Sequence, residues 1–307
     1  MSNIVVLDLE WDSAYFVAHH RFVNQIVQIG AIRLDERLNI TDSFCETVRS
    51  SLTKKLTGRF TTLTGITSRE MLAGIPLSEA FRRYNRWVGE NPITYTYSTS
   101  DLYTILENES LLLDSTLSLK IGKYVDLQSY VQSRMREAGF EISSQISLEK
   151  AAEMLDIQHD RLNLHMAKDD CILSAALLRR FYSEESVRPF IKDTANPEFY
   201  RRLTFKSYHL SNLKDDRIKP KDLQFCCDKC GLPAKCITKW KYRNGWFSAN
   251  FRCPECKRMF IGRVSFKQTY DDLLVKRRIV DVKAVEKRKA EGEKLKAVEK
   301  KNGSSVQ

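Results

Sequence analysis

Apolar positions are unevenly spaced along the chain, and their spacing predicts its elements. A short apolar run, Ile4–Leu7, leads directly into Asp8-Leu9-Glu10 and predicts a strand with those acids at its end. A second run, Gln25–Leu34 (QIVQIGAIRL), and a weakly alternating third, Asp42–Arg49, predict two more strands. Three successive strands suggest an antiparallel meander. The period then changes. Leu77, Ala80, Phe81, Tyr84, Trp87 and Val88 recur at helical spacing, with Ser78 as a candidate cap. Ile93–Tyr97 reads as a strand, Asp101–Glu107 as a helix and Tyr124–Leu127 as the end of a strand. Ser147–Leu155 and Met166–Phe181 read as helices, the latter apolar at Ala167, Cys171, Ile172, Ala175, Ala176, Leu178 and Phe181. Strands first, then mixed strands and helices, predict an α/β sheet covered by helices.

The pattern weakens from Ser183 to Asp222, a polar stretch containing Pro189, Pro197 and Pro220. Phe225–Phe266 is rich in cysteine, and from Val275 the chain is dominated by Lys, Glu, Ala and Val. That last stretch predicts a solvated helix or a disordered arm. No internal repeat is visible.

Composition sharpens this division. With 42% hydrophobic residues in 307, the chain can bury a core, so disorder throughout is excluded. No apolar run approaches the roughly 20 residues of a membrane span, and MSNIVVLDLE lacks the basic start of a signal peptide. These features predict a soluble, intracellular protein, placed in the cytoplasm, with no membrane partner. The net charge of +11 is concentrated. Residues 1–185 carry 20 Lys and Arg against 25 Asp and Glu, residues 186–275 carry 19 against 9, and residues 276–307 carry 11 against 5. The second half therefore attracts polyanions and the first does not.

The acidic half contains the candidate chemistry. On a strand, side chains two apart share a face, so Asp8 and Glu10 repel unless a cation lies between them. Carboxylate oxygens suit Mg²⁺ or Mn²⁺. Asp8-Leu9-Glu10 alone is a weak signal, since surface strands often end in acids. Asp101 follows a second predicted strand across Ser98-Thr99-Ser100, and His165 precedes Asp170 by five residues at the start of an amphipathic helix. Four carboxylates from three segments plus one imidazole are the inventory for two metal ions and a general base. Two ions roughly 3.5–4 Å apart serve phosphodiester hydrolysis, and a histidine can take the proton from the attacking water.

The arrangement DLE…D…HxxxxD resembles the DEDDh exonucleases, which have an RNase H-like fold. IVQIGAIRLD, LTGIT at 63–67, YSTSDLYTIL, YVDLQSY at 124–130 and SLEKAAEML at 147–155 extend the resemblance over residues 3–182. It implies a mixed sheet, a three-strand antiparallel meander plus parallel strands, flanked by helices. It also implies 3′–5′ hydrolysis releasing 5′-mononucleotides, with two Mg²⁺ or Mn²⁺ ions. Asp8 would bridge both metals, Glu10 and Asp170 would hold the one carrying the nucleophile, and Asp101 would support the second. His165 would be the base, and Leu9, Leu63 and Thr64 would contact the terminal nucleotide. Met166 and the RLNL segment before His165 depart from the family's usual residues without removing a ligand, and Asp12 is a competing acid. The overall likeness is to the short RNA-trimming branch, the enhancer-of-RNAi and KapD-like exonucleases, which favours RNA over DNA.

Cys227-x2-Cys230 and Cys253-Pro-Glu-Cys256, 22 residues apart, match a tetrahedral thiolate site for one structural Zn²⁺. Asn244-Gly245 predicts a tight hairpin between the two knuckles, which together form a zinc ribbon. Cys226 is an alternative ligand by a one-residue shift, and Cys236 is a spare. Lys239, Lys241, Arg243, Trp246 and Arg252 are candidates for contact with single-stranded nucleic acid or 3′ overhangs, RNA or DNA. The expected organisation is an exonuclease domain at 1–185, a linker with local helix at 186–222, a zinc ribbon at 223–266 and a basic helical or disordered tail at 267–307. Two other readings compete: a catalytically silent nucleic-acid-binding protein, and a DNA-editing nuclease subunit docked on a larger complex through its ribbon.

Overall fold

The structure is a computed structural model and describes residues 3–113 and 117–281. Its chain divides into two compact units, residues 1–204 and 205–307.

The first unit opens with a long hairpin. Strand β1, Asn3–Phe16, pairs antiparallel with β2, Arg21–Leu34, which pairs antiparallel with β3, Ile40–Arg49. The expected meander is present, but β1 is longer than its apolar run. Asp8 and Glu10 therefore lie within the strand and not at its end. The ladder with β2 continues to Phe16 opposite Arg21, past a register shift between Glu10 and Trp11.

Two short helices follow, α1 at Gly58–Thr64 and α2 at Ser68–Ala73. Thr57 caps α1, and Thr67 and Glu70 form a capping box on α2. Strand β4, Ile75–Pro76, leads into α3, Leu77–Val88. The residue preceding α3 is Pro76, and no side-chain cap bond forms there, so Ser78 is not the cap. Next come β5, Pro92–Thr96, α4, Ser100–Leu112, β6, Lys123–Asp126, and α5, Leu127–Glu137. Helices α6, Leu148–Met154, α7, Ala167–Phe181, and α8, Glu184–Val187, precede β7, Lys192–Asp193, and α9, Pro197–Thr204.

The sheet order is β4-β3-β2-β1-β5-β6-β7, with β1, β5 and β6 parallel to one another. Alternation along β1 feeds two cores. Val5, Leu7 and Leu9 face one that includes Phe81, Tyr84, Leu102 and Ile105 from α3 and α4. Ile4 and Val6 face the other, with Tyr130 and Val131 of α5 and Cys171, Leu177 and Leu178 of α7. By the same alternation Asp8 and Glu10 lie on the α7 side. Leu173, Leu177 and Leu178 are essentially fully buried. At roughly 1.5–3 kcal/mol for each large apolar side chain, they fix α7 firmly on the sheet.

The first unit runs to Thr204 instead of ending near 185. Phe199, Tyr200 and Leu203 of α9 pack on the first core, so the start of the expected linker is part of this unit. Among the described residues no helix is long and apolar enough to cross a membrane.

The second unit is a sheet with a small core. It comprises β8, Tyr208–His209, β9, Lys235–Cys236, β10, Lys241–Arg243, β11, Trp246–Arg252, β12, Met259–Gln268, and β13, Leu273–Asp281. The path is β10-β11-β12-β13, with β9 on β11 and β8 on β12. Asn244 and Gly245 both take positive φ and close the β10–β11 hairpin as expected. Phe247, Phe251, Phe260, Val264 and Phe266 form its core. Residues 273–281 are not a helical or disordered tail. They form a strand that pairs with β12 over nine positions, from Leu273 opposite Gln268 to Asp281 opposite Phe260. Residues 282–307 lie outside the described residues.

Candidate active site

Three elements bring the acids together. β1 presents Asp8 and Glu10 on one face, and α7 presents Asp170 toward them. Ligand oxygens of these three residues all lie within 4.8 Å of one another. Asp101 sits in the first turn of α4 and is 4% exposed. The Leu9 N–H donates to its Oδ1 at 3.1 Å, tying that carboxylate to β1 between the two strand acids.

The approach of α7 depends on two residues of β2. Gly30 lies opposite Asp8, and a Cβ there would stand 2.4 Å from the Ala167 carbonyl carbon and 2.5 Å from the Lys168 nitrogen. Only a bare Cα lets the helix start come so close. Gln28, 4% exposed, receives the Ala167 N–H on its Oε1 at 3.1 Å, and the Cys171 thiol donates to the Gly30 carbonyl at 3.4 Å. On the α4 side, fully buried Asn108 receives the Ile26 N–H and donates to the Asn24 and Thr104 carbonyls. These bonds fix the helix that carries Asp101.

Electrostatically the cluster is unfavourable by itself. Burial, then the charges of Asp101, Asp170 and Glu10, push the Asp8 carboxyl well above the usual range. Burial and the charges of Asp170 and Asp101 raise Glu10 to about 8. Burial raises Asp101 to about 7 against the opposing Leu9 N–H, and burial raises Asp170 as well. Among the described residues no Lys or Arg forms an ion pair with any of the four. Such a donor set, hard, anionic and close-packed, fits divalent cations such as Mg²⁺ or Mn²⁺.

His165 is exposed and takes a positive φ of 66°. Its backbone N–H points to Asp170 Oδ1 at 3.4 Å, a long contact that keeps the histidine beside the cluster. Asp12 is not a competing ligand. It is 5% exposed, and its carboxylate receives the Thr57 N–H at 2.6 Å and the Thr57 hydroxyl at 2.7 Å. It secures the start of α1.

Two of the expected substrate contacts are reassigned. Leu9 is 3% exposed, with its side chain in the core and its N–H committed to Asp101. Thr64 is 3% exposed, and its hydroxyl donates to the Phe60 carbonyl at 3.0 Å and accepts from the Ile66 N–H at 3.1 Å. Leu63, on the same short helix, is 49% exposed and available. Sequence reading missed Gly30, Gln28 and Asn108 as positioning residues. Polar or bare positions inside the apolar second strand were the available signal for the first two.

The second unit gathers Cys227, Cys230, Cys253 and Cys256, whose Sγ atoms all lie within 4.8 Å of one another. Sulfur separations are 3.5 Å for 227–256, 3.4 Å for 230–253 and 3.9 Å for 230–256. A tetrahedral ion with bonds of about 2.3 Å requires edges of roughly 3.8 Å, so the geometry fits zinc. The Lys229 N–H lowers Cys227 to about 7, and the Cys256 N–H lowers Cys253. Gly231, at φ 74°, makes the turn after the first pair. Arg258 ties the knuckles to β13 through Asp228 at 2.6 and 2.8 Å and Asp281 at 3.3 Å. The sulfur cluster includes neither Cys226, whose backbone pairs with Pro233, nor Cys236, whose thiol donates to the Thr238 carbonyl.

Among solved structures, cell-death related nuclease 4 (CRN-4) is similar at 22% identity and a TM-score of 0.50, over 59% of this chain and 63% of that one. This chain thus spans less than two thirds of that nuclease, and at such identity the likeness concerns the fold. The nuclease domain of 3′hExo, a DEDDh family member bound to rAMP, aligns at 19% identity and a TM-score of 0.49, over 58% of this chain and 90% of that one. The E. coli ExoI–ssDNA complex in its zinc-bound form aligns at 16% identity and 0.45, over 86% and 55%. No curated protein matches the sequence. The exonuclease family model RNase_T matches residues 5–178, more than half of the chain and all four clustered acids. The chain belongs to the RNase_T exonuclease family.

Proposed function

We propose that the protein is a divalent-cation-dependent 3′–5′ exonuclease acting on single-stranded nucleic acid or 3′ overhangs, with RNA favoured, and releasing 5′-mononucleotides. One observation carries the reading. Four carboxylates from three segments converge with no basic partner among the described residues, an arrangement that costs stability unless cations bind. Two divalent ions held there would supply the positive charge that neutralises the acids and the developing charge on the phosphate.

The chain's own residues do the rest. Asp8, Glu10, Asp101 and Asp170 would hold the ions; in the family pattern Asp8 would serve both, Glu10 and Asp170 the one that carries the nucleophile, and Asp101 the second. His165, exposed beside Asp170, accepts the proton of the attacking water. Its exposure lets the proton pass on to solvent. Leu63, exposed on α1, offers an apolar contact to a terminal base. The tight ladder of β1, β2 and α7 holds the acids in place, so little reorganisation is needed when charge develops. In the second unit the four cysteines would hold one structural zinc. The preference for RNA rests on the sequence resemblance to the RNA-trimming branch.

The test is a gel time course with 5′-labelled single-stranded RNA and DNA, in Mg²⁺, in Mn²⁺ and without divalent ions, comparing wild type with Asp8→Ala. The reading expects a ladder shortening from the 3′ end with Mg²⁺ or Mn²⁺, faster for RNA, and none with Asp8→Ala. Intact strands in every lane, with binding retained, would defeat it.

A further inference from the structure

The second unit's sheet has one face packed on the phenylalanine core and one open face, and the two differ sharply in charge. Registers place Lys241 opposite Ser248, Ser248 opposite Arg263, and Arg263 opposite Arg278, giving a basic row across all four strands. Arg243 lies opposite Trp246, and Lys276 lies opposite Ser265 in the adjoining row. The four strands together contain one acid, Asp281, at the opposite alternation, where Arg258 engages it. The open face therefore presents Lys241, Arg243, Arg263, Lys276 and Arg278 around a single indole, Trp246.

Two of these cations have no carboxylate partner among the described residues. Arg263 and Arg278 are direct cross-strand neighbours of like charge, an unfavourable pairing. Their guanidinium carbons lie 5.3 and 4.3 Å from the Trp246 ring. Arg263 Nε is buried with no hydrogen-bond partner, and among the described residues no carboxylate pairs with either arginine. Beside them a groove of about 590 Å³ is lined in part by Lys239, Lys241, Arg243 and Arg263. Two guanidinium planes and an indole, ringed by lysines, offer phosphates their counter-charge and unpaired bases a stacking surface.

We propose that this open face binds single-stranded nucleic acid, with Arg263 and Arg278 on the phosphates and Trp246 at the base-stacking centre. Strand β13, from the segment expected to be a tail, thus supplies half of the guanidinium pair. The choice of ligand rests on the nuclease reading above, and charge complementarity with no acid on the face supports it. Recognition is indifferent to base sequence, because every base has a stacking face and every nucleotide a phosphate.

The full-length protein tests this by fluorescence anisotropy with a labelled 20-nucleotide uridine RNA and its thymidine DNA counterpart. Measurement in Mg²⁺-free buffer holds strands intact and keeps binding separate from cleavage. Arg263→Ala/Arg278→Ala should weaken binding tenfold or more and reduce the salt slope by about 1.4, at roughly 0.7 for each phosphate no longer neutralised. Trp246→Ala should weaken binding about tenfold. Arg278→Ala alone, at an exposed position, should weaken it severalfold without lowering the melting temperature, which guards against misfolding of the double variant. Affinity and salt slope at wild-type values in properly folded variants would overturn the proposal and favour an acidic protein as the occupant. If wild type binds as described but cleaves nothing, the nuclease reading fails and the binding face stands.

Discussion

Glu10→Gln separates the catalytic requirement for the acidic cluster from its structural cost. Burial and the neighbouring charges of Asp170 and Asp101 raise the Glu10 carboxyl from its ordinary 4.5 to about 8. The folded state thus holds this proton more tightly than the unfolded state does. Below pH 4.5 the residue costs the fold nothing, and the cost grows as pH rises and is complete above about 8. At roughly 1.4 kcal/mol per pH unit, the gap from 4.5 to pH 7 corresponds to about 3 kcal/mol at most, and relaxation of the neighbouring groups brings it to about 1–3 kcal/mol. Glutamine keeps the shape and cannot ionise. In a unit of this size each kcal/mol moves the melting temperature about 2–4 °C, so Glu10→Gln should melt about 3–10 °C above wild type at pH 7. The assay is calorimetry in Mg²⁺-free buffer without chelator, so that a metal held by the cysteine cluster is not stripped. At pH 5 the gap should shrink below about 1 kcal/mol, because the folded state keeps its proton and pH 5 lies only about half a unit above the unfolded value of 4.5. Mg²⁺ or Mn²⁺ at about 100 times its dissociation constant should add roughly 2.7 kcal/mol to wild type and less to the variant. Activity of the variant should fall by orders of magnitude. A variant less stable than wild type at pH 7 without divalent ions, or a gap that does not change between pH 7 and 5, would refute the reasoning.

Other substitutions probe the supports of the site. Gly30→Ala places a methyl against the backbone of Ala167 and Lys168. Overpacking of this kind costs about 1–3 kcal/mol, and because the shift carries Asp170 with it, kcat should fall tenfold or more; wild-type turnover would show that the close approach is unnecessary. Cys253→Ser removes one of four clustered thiolates, and the second unit's melting transition should disappear while that of the first unit persists; two unchanged transitions would contradict a structural metal. His165→Ala should lower kcat by about 10²- to 10⁴-fold with little effect on stability, and a variant as fast as wild type would exclude His165 as the base.

Much of the site was legible because it depends on local periodicity. The two-residue spacing of Asp8 and Glu10 sets their common face, and Asp170 falls in the first turn of a helix whose apolar positions were plain. What long-range pairing decides was not legible. Trp11-Asp12-Ser13 reads as the end of a strand, yet β1 continues because β2 supplies a partner as far as Phe16. Lys276-Arg277-Arg278 reads as solvated and charged, yet becomes a strand because β12 offers an edge and the core face takes Leu273 and Ile279. Phe199 and Leu203 look like isolated apolar residues in a linker and serve as anchors on the first core. Leu9 and Thr64 stand at substrate-contact positions of the resemblance, while their hydrogen bonds and burial tie them to the framework. Gly30 could be seen as a glycine in a strand, but its purpose requires knowing that α7 crosses there.

The central claim is that Asp8, Glu10, Asp101 and Asp170 act by holding divalent ions against the scissile phosphate. Its most direct test replaces one non-bridging oxygen of the terminal phosphodiester with sulfur, in each stereoisomer separately. Mg²⁺ binds sulfur poorly and Mn²⁺ tolerates it better. Wild type should fail to cleave one stereoisomer in Mg²⁺ and recover that cleavage in Mn²⁺, with no recovery in Asp8→Ala. Equal cleavage of both stereoisomers in Mg²⁺, or cleavage without any divalent ion, would contradict the account.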